Sequence, residues 1–214
     1  MNKIKSLAAV IGLMLVGSVA FAQNDAFYTE VRNYMADNRA EFDKIVASYL
    51  SGENLSTDEF TMLYYGYTFT DAYKPNYSSN TADSLIRLKK YEDAYNSLKG
   101  ELKKDPTSLQ TLFDLMNLAD VLGKEKESEI YQKNYVNLVK AIFLACGDGL
   151  SEENAIRVNR VTDEFQILSS YFKAVSIVSK ELSPDFVDKV SFKDSSGQTK
   201  TVFFDFSRYM VVSE

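Results

Sequence analysis

Between residues 27 and 145 the apolar residues recur every three to four positions, in segments cut by turn-forming residues. This pattern, more than any other, decides what the chain folds into. Phe27, Val31, Tyr34 and Met35 open it; Phe42, Ile45, Val46, Tyr49 and Leu50 continue it past a break at Asp37-Asn38. After the linker "SGENLS", Ser56-Thr57-Asp58-Glu59 stands ahead of Phe60 and forms a capping box. The serine hydroxyl accepts from the Glu59 amide and the glutamate reaches back. A helix therefore starts there and carries "EFTMLYYGYTF". The stretch "DAYKPNYSSNTAD" reads as a surface loop. Beyond it come a short helix around Leu85, Ile86 and Leu88, and a longer one through Tyr91, Ala94, Tyr95, Leu98 and Leu102 that stops at Asp105-Pro106. A third, through Leu109, Leu112, Leu115, Met116, Ala119 and Leu122, ends at Gly123, and a last long helix is closed by Gly147 or Gly149.

The remainder changes character. Ile156, Val158 and Val161 suggest a strand, and Thr162 or Asp163 caps a helix through "EFQILSSYFKAV". "FVDKVSF" and "TKTVFFDF", either side of "KDSSGQ", read as a β-hairpin. The expected fold is mostly α: an antiparallel helical array over residues 23–146, closed by a small α+β subdomain over 147–214 that packs on it.

The N-terminus predicts export. Lys3 and Lys5 precede the apolar stretch "LAAVIGLMLVGSVAFA", which ends in the small residues Ala20 and Ala22 of a signal-peptidase site. Residues 1–22 thus read as a signal peptide, with a periplasmic or secreted chain beginning at Gln23. No later stretch is long and apolar enough to span a bilayer.

The chemistry is bounded by what the composition omits. The chain has no histidine and one cysteine, so a Ser-His-Asp or Cys-His site, a His-based zinc site and an internal disulfide are all excluded. A net charge of −6 with no basic block argues against nucleic acid as a partner. Carboxylate chemistry survives this filter, and Asp185, Asp188 and Asp205 are the acids to watch near the hairpin. "CGDG" with Ser151, Glu152 and Glu153 lacks the spacing of a calcium loop and reads as turn chemistry, and Asp163-Glu164 read as first-turn acids favoured by the helix dipole. No metal site, cofactor or catalytic residue is assigned.

The ligand candidates are aromatic. Tyr64, Tyr65 and Tyr67 on one helix, with Tyr73 and Tyr77 in the loop after it, suit an aromatic groove if exposed and helix packing if buried. Gly66 costs about 1 kcal/mol against alanine in a helix interior, a cost that a close helix approach would offset.

Two resemblances add to this reading. Met62, Tyr65, Gly66 and Phe69 have the spacing of the tetratricopeptide-repeat signature W-x-x-L-G-x-x-Y. With Pro106 as the final proline of a repeat, Ala94 and Leu98 fall at its small and large packing positions. Leu112, Leu115 and Gly123 then suit the next repeat, while Met116 and Tyr135 depart from the pattern. The resemblance implies that the helix of Ala94 and Leu98 is the partner of the tyrosine helix. Taken together, "LYYGY", "KYEDAYNSLKGELKKDP", "GDGLSEENAIRVNRVTDEFQIL" and "TVFFDF" resemble a family of secreted Bacteroidetes proteins built as a domain of unknown function, which implies export and carries no catalytic residues. The expectation is a non-catalytic envelope module that binds a protein or an extended peptide. The alternatives are a carboxylate-dependent hydrolase of polysaccharide or cell wall, and an envelope scaffold or oligomer subunit.

Overall fold

The computed structural model describes residues 20–75 and 80–213. Most of the expected signal segment, and Tyr77, lie outside them. Helices α1 (Ala20–Asp37), α2 (Arg39–Ser51), α3 (Thr57–Tyr67), α4 (Asn80–Arg87), α5 (Tyr91–Lys104), α6 (Leu109–Val121) and α7 (Glu125–Ala145) run in succession. Strand β1 (Ile156–Arg157), helix α8 (Val161–Ser170), strands β2 (Ala174–Leu182), β3 (Val187–Asp194) and β4 (Thr199–Asp205), and helix α9 (Ser207–Ser213) complete the fold.

Local chemistry sets the boundaries. The α1–α2 break falls at Asn38. Ser56 accepts from the Glu59 amide while the Ser56 amide donates to the Glu59 carboxylate at 2.7 Å, so the capping box forms as expected. Ser108 caps α6 by accepting from the Thr111 amide. Gly123, at φ +69°, turns the chain from α6 into α7.

Helices α5, α6 and α7 pack in succession, and α4 packs on α5. The tyrosine helix α3 is placed differently from expectation. It packs chiefly on α7, with α1 and α2 on its other sides, and not along the helix of Ala94 and Leu98. Its burial explains why: every residue from Phe60 to Tyr67 is buried, so α3 needs neighbours all round and occupies the centre. Gly66 provides the expected close approach. A Cβ there would lie 3.0 Å from Met35 Sδ and 3.0 Å from Phe42 Cε2.

The four strands form one mixed sheet in the order β1-β4-β3-β2. The hairpin of β3 and β4 pairs antiparallel, with Val190 opposite Val202, as expected. Two elements depart from expectation. The helix read through Val175 ends at Ser170, and β2 follows. Lys173 at φ +56° breaks the helix, and the β-branched run Val175, Ile177 and Val178 suits a strand. Residues 207–213 form α9. The short β1 pairs parallel to β4, with Ile156 opposite Phe204. One face of the sheet, with Val190, Phe192, Val202 and Phe204, joins the apolar core of the helices. Among the described residues no helix is long and apolar enough to cross a membrane.

Candidate functional site

The tyrosines of α3 are interior residues. Tyr64 and Tyr65 have no exposed surface, and Tyr67 and Tyr73 are 5% and 4% exposed. Burying a phenol requires a partner for its hydroxyl, and three of the four find it in the segment that runs from β1 into α8. Tyr64 donates to Asp163 Oδ2 at 2.7 Å and accepts from the Asn159 amide at 3.0 Å. Tyr65 donates to the Arg157 carbonyl at 3.1 Å, and Tyr73 donates to the Asn159 carbonyl. The Asn159 side chain returns the contact by donating to the Tyr64 carbonyl at 2.8 Å. Burial holds the Tyr64 and Tyr65 hydroxyls well above their ordinary pKa, so both stay protonated donors. These rings form a seam between helical array and sheet, and they do not line a groove.

Beside the seam lies a buried ionic cluster. Arg160, with its side chain 3% exposed, donates to Asp105 Oδ2 at 2.6 Å and to Thr107 Oγ1 at 3.1 Å. Its other terminal nitrogen lies 3.6 Å from Asp163 Oδ2, and its guanidinium stacks 5.0 Å from the centre of the Tyr73 ring. Burial works against the guanidinium's charge, but the two carboxylates outweigh it. Asp163 gets the longer contact of the two. Burial therefore prevails over Arg160 and the Tyr64 hydrogen bond, and pushes its carboxyl up to about 6.

The remaining acids do not assemble a free carboxylate pair. Glu164 is a first-turn acid of α8, as expected, and is fully buried. Lys180 Nζ joins it to Asp188, at 3.0 Å and 2.9 Å. Burial raises the Glu164 carboxyl, against the lowering effect of Lys180. Asp188 stands opposite Phe204 and Asp205 opposite Val187. Adjacent positions on paired strands point to opposite faces, so Asp188 and Asp205 do not converge. Asp205 lies 3.8 Å from Arg157 Nε, and Asp185 sits in the β2–β3 turn, where its amide donates to Ser183 Oγ. Cys146 is a half-buried residue whose thiol points inward and donates to the Ile142 carbonyl at 2.6 Å; burial pushes it up to about 11. Among the described residues no group of three or more acids or cysteines is arranged to hold a metal ion.

The feature that does face solvent is a cleft of about 480 Å³, within the size range of ligand sites. Sequence reasoning misses it, because its walls come from three separate stretches of the chain. The start of α2 gives Arg39, Phe42, Asp43 and Val46. The end of α3 and the following turns give Tyr67, Thr70, Ala72 and Lys74. The end of α5 gives Lys103 and Lys104, and Asp105 and Pro106 follow it. Among the described candidate tyrosines, Tyr67 borders it. Its hydroxyl donates to the Lys104 carbonyl, which fixes the end of α5 against α3, and burial pushes that hydroxyl up to about 12. Tyr64, Tyr65 and Tyr73 lie outside its lining. A second, smaller apolar groove of about 370 Å³ runs between α7 and the end of α8, along Val136, Val139, Phe143, Leu144 and Tyr171.

Architecture and site together define a class: a helical array sealed to a mixed four-stranded sheet through a tyrosine and arginine seam, with an open cleft on the array. The chain belongs to the DUF4919 family, described as a domain of unknown function, whose family model matches residues 29–214. Neither the curated proteins nor the solved structures yield a match to it.

Proposed function

We propose that this chain is an exported, non-catalytic interaction module of the bacterial envelope, and that the cleft between α2, α3 and α5 takes a segment of a partner protein. The cleft carries the reading. It is open to solvent, its floor is apolar, and its walls are held by packing and hydrogen bonds internal to the fold. A preformed wall lowers the ordering cost of binding. Successive helices packed on one another form a scaffold of the kind that presents binding surfaces, and the repeat-like spacing of Met62, Tyr65, Gly66 and Phe69 adds to that reading, although α3 does not pair with the helix a repeat would give it. The carboxylates that approach one another do so around Arg160 or Lys180, which favours structural over hydrolytic use of those acids. Export rests on the Lys3-Lys5 start, the apolar stretch and the Ala20-Phe21-Ala22 site.

The test places a photo-crosslinking amino acid at Thr70, in the cleft, and at Lys189, on the outer face of the sheet, in cells that express the full chain. The expected result is a discrete adduct from position 70 that Val46→Asp abolishes, with none from position 189. Adducts unaffected by Val46→Asp would refute the cleft. In the same fractions, N-terminal sequencing is expected to read from Gln23; an uncleaved cytoplasmic chain would refute export.

A further inference from the structure

The charge around the cleft says what kind of segment it takes. Two acids line it, and both are engaged: Asp43 with Arg39 at 3.1 Å, and Asp105 with the buried Arg160 at 2.6 Å. Lys74, Lys103 and Lys104 are exposed, and none of the three forms an ion pair among the described residues. Lys103 and Lys104 also face the C-terminal end of α5. That end carries about half a negative charge and offsets part of one lysine, not both. The cleft is thus locally cationic on a chain whose net charge is −6. Between these cations the floor is apolar, formed by Phe42, Val46, Tyr67 and Pro106. Tyr67 spends its hydroxyl on the Lys104 carbonyl and leaves its ring toward the cleft.

We propose that the occupant is a polypeptide segment in which acidic and apolar side chains alternate or lie close together. This rests on the reading of the cleft given above. The apolar side chains meet the floor and the carboxylates meet the lysines. The three lysines come from two separate places, the turns after α3 and the end of α5. Carboxylates distributed along a chain match that placement better than one head group on a fatty acid does. Such exposed contacts act mainly on specificity and encounter rate and weaken with salt.

The experiment uses the full mature chain and fluorescein-labelled peptides of repeating Glu-Leu, Ser-Leu and Lys-Leu, read by anisotropy at about 20 mM and about 200 mM sodium chloride. Three exposed ion pairs together favour Glu-Leu over Ser-Leu by about tenfold at the lower salt, with Lys-Leu weakest. The preference is expected to collapse at the higher salt and in the Lys74→Gln, Lys103→Gln double variant. Both of those side chains are exposed, and circular dichroism checks that the fold is kept. Val46→Asp, which changes the floor, is expected to lose all three peptides. Ser-Leu or Lys-Leu binding as tightly as Glu-Leu, with Val46→Asp still abolishing binding, overturns the acidic preference and leaves the cleft reading standing. Glu-Leu binding that survives Val46→Asp overturns the cleft itself. Sodium decanoate binding where Glu-Leu does not overturns the polypeptide in favour of an amphiphile.

Discussion

Replacing Arg160 by methionine isolates the energetics of the seam. Methionine retains apolar bulk but removes the donors to Asp105 and Thr107, the charge 3.6 Å from Asp163, and the stacking on Tyr73. Two carboxyl groups are then left buried without their cation. Breaking a buried pair by removing one partner costs about 3–5 kcal/mol. The pH dependence follows from Asp163. Its carboxyl is raised to about 6 in the folded chain, above its ordinary value, so the folded state holds that proton more tightly than the unfolded state does. The associated stability is fully present at the acid end and is lost as pH climbs from about 4 to about 6. Arg160 lowers this pKa, so the variant raises it further and extends the loss to higher pH. The cost of Arg160→Met is therefore larger at pH 8 than at pH 5, by about 1.4 kcal/mol for each further tenfold weakening of Asp163 as an acid. Urea unfolding followed by circular dichroism measures both. With a slope of about 2 kcal/mol per molar, the midpoint at pH 8 falls by about 1.5–2.5 M. Adding Asp163→Asn, which keeps an acceptor for Tyr64, is expected to recover part of the loss and flatten the pH dependence. A cost below about 1 kcal/mol, or the same cost at both pH values, would refute this account of the cluster.

Gly147→Ala places a Cβ 2.2 Å from the Asn154 carbonyl oxygen, a backbone atom that cannot step aside. It is expected to cost about 3 kcal/mol or more, measured as a lower melting temperature; an unchanged melting curve would count against the turn geometry. Cys146, with its thiol pointed inward and raised to about 11, is expected to react with Ellman's reagent far more slowly in buffer than in urea. Equal rates would mean that the thiol is accessible.

Features that depend on neighbours in sequence are legible. The Ser56–Glu59 box, the Asp37-Asn38 break, the Gly123 turn and the β3–β4 hairpin each involve residues only a few positions apart, and each forms as expected. A glycine inside the apolar helix implies a close approach at Gly66, and there is one, against Met35 and Phe42. Features that depend on distant partners are not legible. Tyr64 pairs with Asp163 across 99 residues, so its role as a seam has no local signature. Asp163 and Glu164 are first-turn acids, as their sequence suggests, but their burial is not legible; the approach of Arg160 and Lys180 makes it tolerable. β2 is masked by the helical pattern before it, and the cleft by the dispersal of its lining over α2, α3 and α5.

The parallel pairing of β1 with β4 makes completion of the seam depend on a strand about forty residues downstream. A chain delivered from its N-terminus presents α3 and the turns after it, with the hydroxyls of Tyr64, Tyr65 and Tyr73 aimed at residues still to come, well before residues 157–163 emerge. When β1 does emerge, its neighbour in the sheet is the last strand, since Ile156 and Arg157 pair with Phe204 and Asp205. The helices can gather while their shared wall is still wet, and they become watertight only when the final strand slides in. Truncation within β4 thus acts on a surface made more than a hundred residues earlier, leaving the tyrosines of α3 at an open joint.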